Sequence, residues 1–251
     1  MLSTHIPSPI STTQHHQPAS HSARRFTGLD GAILAVWALL VALHLVAALL
    51  GIGWVSAALS VALVSVALLA LLRRRAWRPV VGRLLLFGLI AGLLELFTDF
   101  SGETVAHSLF YPPREPMLWA SPAYMPLSWM VALTPLGYLA WRLRALAPVA
   151  PRWASVGIVA VVAIVGALNI PFYEEMAYYA GWWRYAVGPR IPHIGHTPLY
   201  VLLFEGLIAA ALPLLLASLP RLSLRQVALR GVMLGGWLPC AALVAWLLIG
   251  R

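Results

Sequence analysis

The stretch Leu84–Glu103, LLLFGLIAGLLELFTDFSGE, decides the fold because it joins an apolar run to three carboxylic acids. Glu95, Asp99 and Glu103 are three of only eight acidic residues in a chain of 251 residues. An apolar run of roughly 20 residues can cross a bilayer as a helix. Acids are costly in lipid and must face the interior of a helix bundle. The stretch therefore predicts a membrane-spanning helix whose second half carries acidic side chains that face the interior of the bundle.

The composition predicts an all-α, polytopic membrane protein. Hydrophobic residues make up 61% of the chain, charged residues make up 10%, and the mean hydropathy is +0.84. Soluble domains carry roughly 25% charged residues. The apolar runs do not alternate with polar residues, which excludes an outer-membrane barrel. The net charge of +9 comes from arginines between the runs, so it favours a role in topology rather than a nucleic-acid partner.

The chain divides into a polar tail and a transmembrane domain. Residues 1–28 are rich in Ser, Thr, Pro, Gln and His, which predicts a disordered cytoplasmic tail. Residues 29–251 form the predicted seven-transmembrane-helix bundle. The predicted spans are 31–51, 54–72, 83–108, 123–145, 153–175, 198–218 and 227–248.

The arginines predict the orientation of the bundle. With the N-terminus inside, the inner segments hold 13 of the 17 arginines and the outer segments hold 4. Inner loops of membrane proteins carry the excess of basic residues. We therefore expect a multi-pass protein of a cell inner membrane, with its N-terminus in the cytoplasm and its C-terminus outside.

The third to sixth spans indicate a parallel tandem repeat of two hairpins. Span three ends in acids, and SPAY (121–124) opens span four after an aromatic, Pro-rich loop. Span five ends in YEE (173–175), and TPLY (197–200) opens span six after a similar loop. Ser-Pro and Thr-Pro are also ordinary helix starts, which is the alternative interpretation. A true repeat predicts two related hairpins facing one site.

Acids from separate spans are expected to converge in the outer half of the membrane. A spacing of four residues keeps Glu95, Asp99, Glu103 and His107 on one helix face. Span five brings further acids to the same level, and span six adds one about 10 Å deep. The predicted catalytic acids are Glu95, Asp99, Glu103, Glu174, Glu175 and Glu205. We expect at least one to be held protonated, as a general acid requires. Asp99 or Glu103 is the first choice for the proton donor, and the acids of spans five and six would tune it or accept the final proton.

Aromatic residues are concentrated on the same outer half. An interfacial belt explains some of them, but a belt forms on both faces of a membrane. The excess predicts a substrate pocket whose rings stabilise cations. The candidate substrate-binding residues are Phe100, His107, Tyr111, Tyr124, Trp129, Tyr173, Tyr178, Trp182, Trp183 and Tyr200. An acid beside such a pocket suits carbocation chemistry on a lipid-soluble small molecule, without a cofactor.

The layout resembles that of membrane-integral terpenoid-modifying enzymes, namely seven-helix meroterpenoid cyclases, heterodimeric-type lycopene cyclases and membrane carotenoid hydratases. The likeness lies in acids at span ends, the element PFYEE (171–175), aromatic Pro-rich loops and tandem hairpins. The resemblance implies proton-initiated cyclisation, hydration or isomerisation of an isoprenoid. It implies donors among Glu95, Asp99 and Glu103 on one hairpin, or among Glu174, Glu175 and Glu205 on the other. No DDxxD or DxDD sequence is present, so soluble-type cyclase chemistry is not indicated.

Two other functions remain open from the sequence. A metal-dependent enzyme would use Glu103, His107, His193 and His196, which offer a nitrogen and oxygen ligand set for zinc or iron. A proton-coupled transporter would use the intramembrane acids as a relay, although the inner half of the bundle carries few polar residues. Spans one and two are expected to be scaffold, with His44 as a satisfied core residue. Substrate, product and oligomeric state stay open.

Overall fold

The protein is an all-α helical bundle, as the sequence predicts. A computed structural model describes residues 27–147, 152–186 and 190–250. Within them the chain forms seven α-helices: α1 (Gly28–Leu50), α2 (Trp54–Leu71), α3 (Arg78–Phe100), α4 (Met125–Leu146), α5 (Arg152–Ala180), α6 (Leu199–Leu215) and α7 (Leu224–Ile249). The predicted tail lies outside the described residues apart from Thr27 and Gly28, where α1 begins.

Five of these helices are long and apolar enough to cross a membrane, namely α1, α2, α3, α5 and α7. The chain is therefore a membrane protein. The helix α6 is apolar but has only 17 residues. The helix α4 has 22 residues and carries Arg142 and Arg144 near its end. The crossing of the membrane by all seven helices stays a prediction.

A partly buried ion pair connects the start of α1 to the end of α4. Thr27 caps α1 and exchanges hydrogen bonds with Asp30 in a capping box. Arg142 Nε donates to Asp30 Oδ1 at 2.9 Å, and Tyr138 Oη donates to the same oxygen at 2.7 Å. One of the eight acids is thus matched by a guanidinium, on a helix far in sequence.

Two predicted helix ends are wrong. The α-helical part of α3 ends at Phe100, and a π-helical segment follows at Ser101–Val105. His107 then adopts a positive φ of 49°. Glu103 and His107 are therefore not one α-helical turn apart, as the spacing of four predicts. The helix α5 continues past residue 175 to Ala180, because Pro171 within it does not break it.

The two predicted hairpins share one order of elements. After α3 come the strands β1 (Leu109–Phe110), β2 (Met117–Leu118) and β3 (Ser121–Pro122), followed by α4. After α5 come β4 (Arg184–Tyr185), β5 (His193–Ile194) and β6 (Thr197–Pro198), followed by α6. The Ser-Pro and Thr-Pro pairs thus lie in strands that end just before the helices. We call α3 to α4 the first unit and α5 to α6 the second unit.

Antiparallel pairing of β1 with β4 joins the two units. Leu109 is opposite Tyr185 and Phe110 is opposite Arg184. Within each unit a two-stranded hairpin forms next to the second helix, β2 with β3 and β5 with β6. The hydrogen-bond pattern of an antiparallel pair is the same when viewed from either strand, so this pairing suits a contact between two related units.

Small residues set the close packing of the helices. A Cβ at Gly92 would lie 2.8 Å from Trp129 Cβ and would overlap the carbonyl oxygen of Pro126, so α3 and α4 touch through backbone atoms. Gly166 of α5 similarly meets Ala209 of α6. Gly235 of α7 packs on Leu94 of α3. Such contacts are typical of helix pairs in membranes.

Candidate functional site

A cavity of about 720 Å³ lies inside the bundle. This size is usual for a small-molecule site. All seven helices contribute to its lining, including Trp37 and His44 of α1 and Val61 of α2. The prediction that the first two helices are only scaffold is therefore wrong. His44 is buried as expected, with Nδ1 2.8 Å from the Leu40 carbonyl oxygen, but its ring also borders the cavity.

Four carboxyl groups face this cavity. Glu95 and Asp99 come from adjacent turns of α3, Glu174 comes from α5 and Glu205 comes from α6. Glu95 and Asp99 are 3% and 6% exposed, so neither acid is hydrated by bulk solvent. No arginine or lysine is found among the described residues of the lining. Four carboxyl groups without a cation favour protonation of at least one of them.

Each unit contributes one carboxyl group that accepts a hydrogen bond from a loop tyrosine. In the first unit Tyr111 Oη donates to Asp99 Oδ2 at 2.6 Å. In the second unit Tyr185 Oη donates to Glu174 Oε1 at 3.3 Å. The two acids precede SPAY and TPLY by nearly equal intervals along the chain, so they occupy equivalent places in the two units. We call these pairs the two carboxyl–tyrosine dyads.

Both loop tyrosines remain hydrogen-bond donors. Burial, and then the nearby Asp99 and Glu95 carboxylates, raise the pKa of Tyr111 well above its usual range. Burial, and then Glu174, raise the pKa of Tyr185 in the same direction. Trp183 adds a third donor, from Nε1 to Glu174 Oε2 at 2.7 Å. The dyads therefore present fixed donors to Asp99 and Glu174.

Glu205 differs from the dyad acids in its surroundings. Among the described residues its carboxyl group has no hydrogen-bond partner, although it lies near enough to Glu174 and Glu95 to interact electrostatically. Glu95 is intermediate: Asp99 and Trp129 lie beside it, but its buried Oε2 has no partner. The cavity thus contains acids with donors and acids without them.

The structure does not bring Glu103 and Glu175 into the cavity. Glu103 lies in the π-helical segment, where the Thr104 hydroxyl donates a hydrogen bond to its carboxylate at 3.4 Å. Glu175 accepts a hydrogen bond from the backbone N–H of His196 at 2.5 Å. Its Oε2 lies 2.9 Å from His196 Nδ1. Glu175 thus connects α5 to the loop before α6, outside the lining.

The structure does not bring the proposed metal ligands together into one site either. The ring of His193 contacts the Ile191 carbonyl oxygen at 3.0 Å, and the ring of His196 stacks on Tyr178. In the described parts of the chain, no group of three or more His, Cys, Asp or Glu side chains is arranged to hold a metal ion. The geometry gives this alternative no support.

Half of the predicted substrate-binding residues line the cavity, namely Tyr111, Trp129, Tyr173, Trp183 and Tyr200. The others do not. Phe100 stacks on Trp119, and Tyr124 Oη donates to Glu115 at 3.3 Å. Tyr178 stacks on His196, and His107 is exposed. Trp182 is buried in the core, where its Nε1 donates to Ser56 at 2.8 Å.

Several residues that line the cavity were not predicted from the sequence. The repeat could have indicated Tyr185. It is the last residue of β4, and Tyr111 directly follows Phe110, the last residue of β1. Trp37 and His44 are seven residues apart and share one face of α1. Trp246 of α7 also lines the cavity, in edge contact with Tyr200. No pattern within α7 singles it out.

A family profile matches residues 96–249, which is more than half of the chain. The chain belongs to this family. It is described as a domain of unknown function, DUF6989. The match begins within α3 and includes Asp99, Glu174, Glu205 and both dyad tyrosines, whereas Glu95 lies one residue before it. No curated protein and no solved structure matches the chain.

Proposed function

We propose that this protein is an integral membrane enzyme that protonates a lipid-soluble isoprenoid and so starts its cyclisation, hydration or isomerisation. The observation that carries the proposal is one cavity faced by four carboxyl groups, with no arginine or lysine in its described lining. The resemblance in layout to membrane-integral terpenoid-modifying enzymes points to the same chemistry.

The cavity walls suit a cationic intermediate. Trp37, Trp129, Tyr173, Phe204 and Trp246 present aromatic rings to the same space as the acids. Aromatic faces attract cations, most strongly where water is excluded. A carboxylic acid in such surroundings can protonate an alkene, and a carboxylate can later remove a proton. The chemistry needs no redox partner.

The proposed location is the inner membrane of a cell, with the N-terminus in the cytoplasm and the C-terminus outside. The distribution of arginines supports this orientation. The cavity reaches Val105, at the end of the π-helical segment after α3, and Leu243 of α7, and both residues are exposed. A substrate dissolved in the outer leaflet can reach the acids between these helices.

The test is expression in a host supplied with candidate polyprenyl substrates, followed by comparison of lipid extracts. The variants are Glu95→Gln, Asp99→Asn, Glu174→Gln and Glu205→Gln. We expect the parent to form a new lipid product and removal of an essential proton donor or acceptor to lower its yield by at least about 100-fold.

Two acids outside the cavity provide matched controls. Glu103→Gln changes an acid in the π-helical segment that directly follows the helix of Asp99. Glu175→Gln changes the direct neighbour of Glu174. Both should keep most of the product. Lipid extracts that are identical with and without the protein, across all substrates, would contradict the enzyme proposal. Proton uptake into proteoliposomes under those conditions would favour the transporter instead.

A further inference from the structure

The carboxyl groups of the cavity differ in the number of hydrogen bonds they accept. Glu174 accepts from Trp183 Nε1 at 2.7 Å and from Tyr185 Oη at 3.3 Å. Asp99 accepts from Tyr111 Oη at 2.6 Å. Glu205 has no such partner among the described residues. Donors stabilise an ionised carboxylate, whereas a carboxyl group without donors in a water-poor space is more stable as the neutral acid.

From this contrast we infer that Glu205 is the proton donor of the cavity and Glu174 is the proton acceptor. The inference rests on the proposed function and assigns roles within it. It differs from the sequence-based choice of Asp99 or Glu103, because Asp99 accepts a short hydrogen bond and Glu103 lies outside the cavity. Trp183 and Tyr185 are then positioning residues, since they act through Glu174.

The assigned steps conserve atoms and electrons. The O–H bond of Glu205 breaks as a C–H bond forms at one alkene carbon, which leaves a cation at the other carbon. After any ring closure, the Glu174 carboxylate takes a proton from a carbon next to the cation, and that electron pair becomes a new C=C bond. The product is an isomer of the substrate. Transfer of the proton from Glu174 back to Glu205 completes the cycle.

Glu174 is the suitable acceptor because of its place beside the donor. Glu174 lies near enough to Glu205 to interact with it electrostatically, and both face the cavity from the second unit. Asp99 is instead paired with Glu95 on α3. The first unit therefore supplies an acid pair opposite the donor and acceptor of the second unit.

Dicyclohexylcarbodiimide tests these roles without any substrate. This apolar reagent modifies protonated carboxyl groups in membrane proteins, and peptide mass spectrometry locates the product. With the purified full chain in detergent at neutral pH, we expect Glu205 to be modified at least about tenfold faster than Glu174, the factor that one hydrogen bond to a charged group contributes. Faster modification of Glu174 or Asp99 than of Glu205 would overturn the assignment.

A donor-deletion variant gives a second measurement. The double change Trp183→Phe and Tyr185→Phe removes both donors to Glu174, so modification of Glu174 should rise by at least about tenfold. Tyr178→Phe is the control, because that ring stacks on His196 outside the cavity. Unchanged modification of Glu174 in the double variant would also overturn the assignment.

The outcomes separate this inference from the proposed function. Fast modification of Glu205 together with unchanged lipid extracts would support the roles assigned to Glu205 and Glu174 and would contradict the proposed isoprenoid reaction. Lipid products that depend on the cavity acids, together with preferential modification of Glu174, would support the isoprenoid reaction and would contradict the roles assigned to Glu205 and Glu174.

Discussion

Glu115 is a buried acid outside the cavity, in the loop between β1 and β2. It is 6% exposed, Tyr124 Oη donates to its Oε2 at 3.3 Å, and its Oε1 has no partner in the described structure. Burial raises the pKa of Glu115 from its ordinary 4.5 to about 7. The folded protein therefore binds this proton more tightly than the unfolded chain does.

Stability should consequently fall as the pH rises through the interval between these two pKa values. The contribution of protonated Glu115 is complete below about 4.5 and is lost by the time the pH passes about 7. Solvent near the loop limits the loss to on the order of 1 kcal/mol. Thermal unfolding in detergent at both ends of the interval measures it. Glu115→Gln should flatten this part of the pH profile, and an unchanged profile would contradict the assignment.

At the level of residues, the sequence predicts the acids better than it predicts the aromatic rings. Glu95, Asp99, Glu174 and Glu205 were predicted to face inward because lipid excludes charge, and they line the cavity, whereas Glu103 and Glu175, predicted on the same ground, do not. Aromatic residues are stable in the core, at the interface and in a pocket. Trp182 and Trp183 are neighbours, yet one lies in the core and the other borders the cavity.

Among the helices, the contact of α3 with α4 depends on Gly92. Its hydrogen faces the Pro126 carbonyl and Trp129 Cβ, so any side chain must separate the two helices. Trp129 borders the cavity, and Glu95 lies one turn after Gly92. A change at this position therefore affects both packing and the shape of the site.

Gly92→Ala should destabilise the protein by about 1–2 kcal/mol, since overpacking outweighs the gain in helix propensity. The measurement is unfolding by added denaturing detergent. Gly157→Ala is the matched control on α5, because a Cβ there meets no atom within 4 Å. It should leave stability unchanged or slightly higher. Equal effects of the two changes would show that the contact at Gly92 is not restrictive.

Helix ends were the least predictable elements. Hydropathy locates apolar runs, but it does not register the change from α- to π-helical turns at Ser101, which moves Glu103 and His107 off the face of Asp99. Nor does it show whether Pro171 ends α5, since neighbouring helices can support a proline within a membrane helix. The shared order of elements in the two units was predictable because SPAY and TPLY mark equivalent positions.

For the whole molecule, the arginines predict the orientation. If all seven helices cross in the predicted orientation, the chain after α4 lies in the cytoplasm and the loop after α5 lies outside. Alkaline phosphatase fused after residue 186 should be active, and green fluorescent protein fused after residue 147 should be fluorescent. The opposite pair of signals would mean that the orientation is reversed or that one of the helices before residue 147 does not cross. Phosphatase activity at both sites would show that α5, the helix between them, does not cross.

A pocket was predicted, but the set of helices that encloses it was not, because it depends on how the helices are arranged. The sequence indicates that acids share one depth, and the tandem hairpins indicate that two units face one site. It does not indicate that α1 and α7 close the space with Trp37 and Trp246. Those contacts arise from tertiary packing between runs that are uniformly apolar in sequence.

The two units belong to one polypeptide, and this has a consequence for the chemistry. A dimer of identical half-length chains would have to present the same residue at equivalent points on both sides. Trp129 follows SPAY by the same interval as Glu205 follows TPLY, so the two occupy corresponding places in α4 and α6, yet one is an indole and the other an acid. Covalent linkage of the halves permits this asymmetry, so the cavity can present an acid on one side and an aromatic wall on the other.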